Sequence, residues 1–344
     1  MAHALAVVDD PSFDEHRPPA DQPEHPECPA RLAAARRAVE AIARSVQVIP
    51  VPARRATEDE LCRVHTPAYI EELGRSAGTW ATFDEDTYAA PGSVTAALTA
   101  AGGAIELVNA LSEGRAERGV ALLRPPGHHA RPGGAMGFCL VNNVAVAAAH
   151  ARARGAERVM IVDFDVHHGN GTQESFYADP SVLFVSLHQF PLYPGTGSVG
   201  ELGSGEGRGH TLNVPLSPGA DDAVYAAAFA RIVAPLCSEF APSLVLLSAG
   251  FDAHRADPLA QMHLSDAGYG QMVRSLTSAL PPNVPIGMVL EGGYDLEALE
   301  ASLVRTLQSL SGIAAADGPT GAVAGRHAEE LARVEAAVRP YFHL

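Results

Sequence analysis

The chain has 344 residues, 47% of them hydrophobic and 19% charged, with 32 Gly and 26 Pro. This is the composition of a folded globular protein and excludes general disorder, collagen and coiled coil. Its 24 Lys plus Arg against 40 Asp plus Glu leave a formal net charge of −16, which disfavours nonspecific binding to nucleic acid or anionic membrane, because both require basic surface.

In chain order, short apolar runs rich in Val, Ile and Leu predict strands at 5–8, 119–123, 158–162, 182–187, 244–248 and 286–290. All are too short for helices. Ala-rich stretches between them predict helices at 30–44, 93–112, 142–154, 221–239, 266–280 and 296–310. The Pro-rich segment 18–29 reads as a loop, and 314–325 as a flexible lead into a last helix at 326–338. Continuously apolar strands alternating with helices predict an α/β fold, a parallel sheet covered on both faces in three layers. With no long linker, one domain over 1–344 is expected. No basic leader and no run approaching about 18 apolar residues is read from the chain, so a cytoplasmic protein is expected. Four scattered cysteines, Cys28, Cys62, Cys139 and Cys237, without a CxxC pair, agree with a reducing compartment and disfavour a thiolate metal site.

The polar residues gather just after the strands. Strand 119–123 runs into Arg-Pro-Pro-Gly-His128-His129, strand 158–162 into Asp163, Asp165, His167, His168 and Asn170, and strand 182–187 into His188. Strand 244–248 is followed by Asp252 and His254, and strand 286–290 by Glu291-Gly-Gly-Tyr294. In an open parallel sheet the ligand crevice lies beyond the carboxyl ends of the strands, so five strands would deliver these groups to one place.

Asp163, Asp165 and His167 are spaced i, i+2, i+4, which on an extended chain sends them to one side and Phe164 and Val166 to the other. Carboxylates and an imidazole together are costly to bury unless they bind a cation. Asp165 and His167, with Asp252 as the third donor, offer oxygen and nitrogen ligands and leave a position open for water. The alternative, a salt-bridge network, lacks neighbouring Lys or Arg in the sequence. The adjacent His128 and His129 are candidates for general acid and base. Tyr294 is a candidate oxyanion donor, the glycines before it permitting a sharp turn.

These motifs, with Gly137-Phe138-Cys139 and His25-Pro-Glu-Cys-Pro-Ala-Arg31, resemble in order the motif set of the histone deacetylase superfamily, which includes acetylpolyamine amidohydrolases and bacterial deacetylase-like amidohydrolases. The resemblance implies the arginase/deacetylase fold, with a mainly parallel eight-stranded sheet flanked by helices. It implies a catalytic Zn²⁺ on Asp165, His167 and Asp252, with Fe²⁺ as another occupant. It also implies a monovalent cation, K⁺, near Asp163, Ser186 and Leu187. A second such cation would map near Phe176, Asp179 and Val182.

By the same resemblance His129 is the general base, His128 paired with Asp163 its electrostatic partner, and Tyr294 the oxyanion donor. Gly137, Phe138 and Tyr193 line a narrow substrate channel. Asn170, behind His129, stands where other members carry Asp and resembles class II deacetylases and their bacterial relatives. Leu259 follows Asp257-Pro258 where polyamine-selective eukaryotic members carry an acid. The implied substrate is acyl-lysine or a small acylated amine, with acetylpolyamine as the rival, and a homo-oligomer is compatible with the reading. A metal-bound acyl-lysine reader without turnover is disfavoured by the retained histidines and Tyr294. A dimanganese arginase-like hydrolase is disfavoured by the missing extra carboxylates.

Overall fold

The computed structural model describes residues 2–313 and 321–343. Its strands are β1 (Leu5–Val8), β2 (Val48–Val51), β3 (Ala81–Thr82), β4 (Tyr88–Ala89), β5 (Arg118–Ala121), β6 (Val159–Asp163), β7 (Val182–Gln189), β8 (Thr211–Leu216), β9 (Leu244–Ala249) and β10 (Ile286–Leu290). Its helices are α1 (Ala30–Ile42), α2 (Glu58–Leu61), α3 (Pro67–Arg75), α4 (Ser93–Ser112), α5 (Asn143–Ala153), α6 (Asn170–Phe176), α7 (Asp222–Ala228), α8 (Ala234–Phe240), α9 (Asp266–Ala279), α10 (Leu296–Leu310) and α11 (Arg326–Val338). The segment 314–320, expected to be a flexible lead, lies outside the described residues.

Eight strands form one sheet in the order β2-β1-β5-β10-β9-β6-β7-β8, and every pairing in it is parallel. The inner strands β5, β6, β7, β9 and β10 are buried along their whole length, which is why they read as unbroken apolar runs without alternation. One set of helices, α4 and α5, packs together against strands including β1, β5, β6 and β9, while α1, α10, α9, α7 and α8 pack in a second set.

Two strands of the sheet escaped prediction, and both are edges. Strand β2 holds Pro50 and strand β8 holds Pro215 and Asn213. An edge strand tolerates Pro because one side of its backbone need not donate to a ladder. The expected helix 221–239 is broken in the middle by a π-helical turn, Phe229–Val233, with Pro235 in the first turn of α8. Proline lacks the N–H of the i to i−4 ladder and crowds the preceding turn, so the widened turn takes up the mismatch.

The reading that no apolar run could span a membrane is corrected. The stretches Ser93–Ser112 and Asp222–Phe240 are both long and apolar enough. Helix α4 is 78% buried over that window, because it contacts β1, β5, β10 and α5.

Topology places the chemistry. The strands leading to His128 and His129 (β5), Tyr294 (β10), Asp252 (β9) and Asp163 (β6) are four consecutive neighbours at the middle of the sheet. Parallel pairing puts all their carboxyl ends on one edge.

Candidate metal centre and active site

Strand β6 ends at Asp163, and the chain continues through Phe164 and Val166, both fully buried, and the buried Asp165, to His167, which lines the crevice. Backbone amides hold this turn. The Asp165 N–H donates to Asp163 Oδ1 (3.1 Å) and the His167 N–H to Asp165 Oδ1 (3.0 Å). The Val166 N–H donates to Asp252 Oδ1 (2.8 Å), and the Gly292 N–H to Asp165 Oδ2 (2.8 Å). Backbone thus satisfies one oxygen each of Asp163 and Asp252 and both oxygens of Asp165.

Donor atoms of Asp165, His167 and Asp252 lie within 4.8 Å of one another and form a group able to hold a metal ion. The His167 Nδ1 is 3.2 Å from Asp165 Oδ1 and 3.1 Å from Asp252 Oδ2. Close quarters mark the pocket: a Cβ on Gly292 would come within 2.6 Å of Asp165 Oδ2. Arg31, fully buried nearby, spends its guanidinium on the Glu27 carboxylate (3.1 Å), the Gly293 carbonyl (2.7 Å) and the Glu291 carbonyl. Among the described residues no Arg or Lys makes an ion pair with Asp163, Asp165 or Asp252. Burial and the charge of Asp165 push Asp252 up to about 7. Burial opposes charge on His167, yet the two carboxylates outweigh it and push its pKa up to about 10. A buried, under-neutralised set of two carboxylates and an imidazole fits a divalent cation with oxygen and nitrogen ligands.

The histidine pair sits in the loop after β5, held from below by Glu291. Its Oε2 accepts the N–H of Gly127 (2.6 Å) and of His128 (3.1 Å), and its Oε1 accepts the Ser248 hydroxyl (3.2 Å). The two rings are 4.0 Å apart between centroids, but their environments differ. His128 donates from Nδ1 to Asp163 Oδ2 (3.0 Å). Burial resists its protonation, but Asp165 and Asp163 prevail and raise its pKa to about 10. His129 donates from Nδ1 to the Asn170 amide oxygen (2.8 Å), and Asn170 Nδ2 donates to Met136 Sδ (3.2 Å). Burial, then the neighbouring His128 and His167, push His129 well below the usual imidazole range. With Nδ1 carrying the hydrogen, Nε2 of a neutral His129 keeps its lone pair.

Tyr294 follows Gly292 and Gly293, the latter at φ +118°, a backbone conformation that only glycine adopts readily. Its ring lies under the Arg31 guanidinium at 4.9 Å and meets Phe138 edge-on at 5.9 Å. Burial lifts the phenol well above its usual pKa, so it remains a donor.

A cavity of about 220 Å³ brings together His128, His129, Gly137, Phe138, His167, Tyr193, Leu259 and Tyr294. Gly137, at φ +57°, passes so close to His129 that a Cβ would lie 2.6 Å from its Cδ2. Phe138 itself stands at φ +68°, a conformation costing a bulky residue on the order of 1–3 kcal/mol. Its N–H is held by Thr87 Oγ1 (3.0 Å), and the Gly137 N–H by Asp84 Oδ2 (3.3 Å). Tyr193, 43% exposed, stands edge-on to His129 at 5.2 Å and marks the mouth.

Not every predicted residue joins the cavity. Ser186 and Leu187 lie on β7, with Ser186 beside Asp163 in the strand register and its hydroxyl against His188 (3.0 Å). His168 is turned to Thr196 and Gln173, and His254 to Asp266. Sequence reasoning missed Asp86 and Leu192 in the lining and assigned no role to Glu291, Arg31 or Asp257. It also missed the buried pair of Arg124 and Glu27, joined at 2.6 Å. Their signal was present as charged residues inside otherwise apolar or motif-bearing stretches.

The histone deacetylase domain matches residues 25–310. Histone deacetylase 15 of Arabidopsis thaliana is 44% identical over 298 residues, covering 84% of this chain and 53% of the relative, so the chain spans about half of that protein. A probable deacetylase of Archaeoglobus fulgidus is 39% identical over 288 residues, covering 83% of this chain and 80% of the relative. The crystal structure of the HDA15 HD domain superposes with a TM-score of 0.91 at 39% identity, over 98% of this chain and 95% of that one.

Proposed function

This chain belongs to the histone deacetylase family, and we propose that it hydrolyses the acyl amide of acyl-lysine or of a related small acylated amine at a zinc centre. The observation that carries the reading is the convergence of Asp165, His167 and Asp252 beside a cavity lined by His128, His129 and Tyr294. A divalent cation held there, Zn²⁺ or Fe²⁺, supplies polarisation of the acyl carbonyl and a lowered pKa for water.

The remaining work belongs to the chain. Neutral His129 takes a proton from the attacking water through Nε2 and returns one to the leaving amine. His128, kept charged by Asp165 and Asp163, stabilises negative charge without itself exchanging the proton. Tyr294 donates its phenol hydrogen to the developing oxyanion. Gly137, Phe138 and Tyr193 bound a narrow passage suited to an extended aliphatic chain, and their apolar surface excludes water from the amide. A monovalent cation such as K⁺ would be held by Asp163 with Ser186 and Leu187, which lie beside it on β7. The four cysteines are free, which supports a reducing, cytoplasmic setting.

A second reading, acetylpolyamine hydrolysis, draws support from Asp86 in the cavity lining, an acid suited to an ammonium group. Leu259 in the same lining favours the first. The test is a panel of acyl-lysine peptides, acetylputrescine, acetylspermidine and simple amides, assayed with metal-reconstituted protein. Release of acetate from the peptides is expected. A preference of about ten-fold or more for polyamines, roughly 1.4 kcal/mol in specificity, reverses the order of the readings. Absence of metal-dependent hydrolysis across the panel sinks both.

A further inference from the structure

We propose that Asp257 is a positioning residue for this reaction, a single carboxylate that sets Tyr294 and Leu259 relative to each other across the cavity. Asp257 lies in the loop after β9 and is 7% exposed. Its Oδ1 accepts the N–H of Leu259 at 3.0 Å. Its Oδ2 accepts the N–H of Tyr294 at 2.7 Å and that of Asp295 at 3.3 Å. Its own N–H donates to the His254 carbonyl at 2.9 Å, so the carboxylate is anchored to the loop that also carries Asp252.

Both residues it holds line the cavity, and they reach it from separate loops. Tyr294 needs such a hold. The two residues before it are glycines, one at positive φ, and glycine backbone resists displacement least. Asp295 caps α10 by accepting the Ala298 N–H (2.8 Å), so Asp257 also fixes where that helix begins. On the other side Pro258, with its locked φ, transmits the position of Asp257 to Leu259. Charge-assisted bonds to backbone amides are the strong kind. An oxyanion donor displaced by about 1 Å loses on the order of 10² in rate.

The kinetic half of this inference rests on the amide-hydrolase reading; the structural half does not. The experiment combines a mutant cycle with crystal structures of the wild type and D257A. D257A is expected to lower kcat by about 10–100-fold, and Y294F by about 10²–10³-fold. The double variant is expected within about 3-fold of Y294F alone, because Asp257 then has no phenol to position. D257N keeps one acceptor oxygen and is expected to recover at least about 5-fold of the kcat lost in D257A. If D257A does not fold, the cycle is run with D257N. In the crystals, Tyr294 and Leu259 are expected to shift in D257A with Asp165, His167 and Asp252 in place.

Multiplicative losses in the double variant overturn the proposal, as does an unmoved Tyr294 in D257A. A wild type inactive on every substrate defeats the hydrolase reading, and the crystal comparison then still decides whether Asp257 sets the two side chains.

Discussion

His129 donates its Nδ1 hydrogen to the amide oxygen of Asn170 at 2.8 Å, whereas the neighbouring His128 donates to a carboxylate, Asp163, at 3.0 Å. Asp165 and Asp163 hold His128 in its charged form, while burial and the neighbouring His128 and His167 keep His129 neutral. A neutral amide orients a ring without stabilising its cation, and a carboxylate does both.

Replacing Asn170 by Asp should therefore raise the pKa of His129. Only neutral His129 serves as base, so the acidic limb of the kcat/KM profile should move to higher pH by about one unit. The profile is measured on one peptide for both proteins. A limb that stays in place removes His129 from the role of base.

Tyr294→Phe should lower kcat by about 10²–10³-fold with bound metal unchanged, because an oxyanion donor acts mainly in the transition state. Kinetics and elemental analysis on the same sample separate this from a loss of metal. Full activity in the variant takes Tyr294 out of the mechanism.

Asp252→Ala should abolish metal retention and activity together, since two protein donors remain where three converge. Chelation of the wild type should do the same reversibly, and added metal should stabilise the fold by mass action, by about 2.7 kcal/mol at one hundred times Kd, read as a higher melting temperature. A variant that binds metal as well as wild type shows that Asp252 is no ligand.

Leu259→Glu should shift preference toward acylated polyamines by adding a second acid to the lining that holds Asp86. A gain of about ten-fold in the ratio of kcat/KM for acetylspermidine over acetyl-lysine peptide is expected at low salt. An unchanged ratio means that the substrate does not pass residue 259.

Acid should weaken the fold through His65. Its Nδ1 donates to the Arg131 carbonyl (3.0 Å) and its Nε2 accepts the Asn142 N–H (3.0 Å), so the buried ring is used in its neutral form. Burial lowers its folded pKa to about 4 from 6.5. The unfolded chain takes the proton first, so stability is constant above about pH 6.5, falls as pH drops toward 4, and then levels. The loss is about 2 kcal/mol between pH 7.5 and pH 5. Denaturant midpoints at the two pH values should differ less in His65→Gln than in wild type.

The six central and near-central strands were legible because burial on both faces leaves a local mark, an unbroken apolar run, as in β6 and β10. Asp165 and His167 were legible for a similar reason, since their spacing on an extended chain is local. The edge strands β2 and β8 left no such mark, being proline-bearing and paired on one side only. The widened turn at Phe229–Val233 was likewise hidden inside a continuous helical pattern.

By itself the sequence determined the six inner strands, the long helices and which residue types meet metal and proton chemistry, because these depend on neighbours a few positions apart. Tertiary structure alone decided the strand order β5-β10-β9-β6 that gathers donors from distant parts of the chain. It also decided the partners that support the site: Glu291 for the His128 loop, Asp257 for Tyr294 and Leu259. Those pairings join residues 35 or more positions apart in every case but Leu259, and a hydrogen bond across such a separation leaves no periodicity in the chain to read.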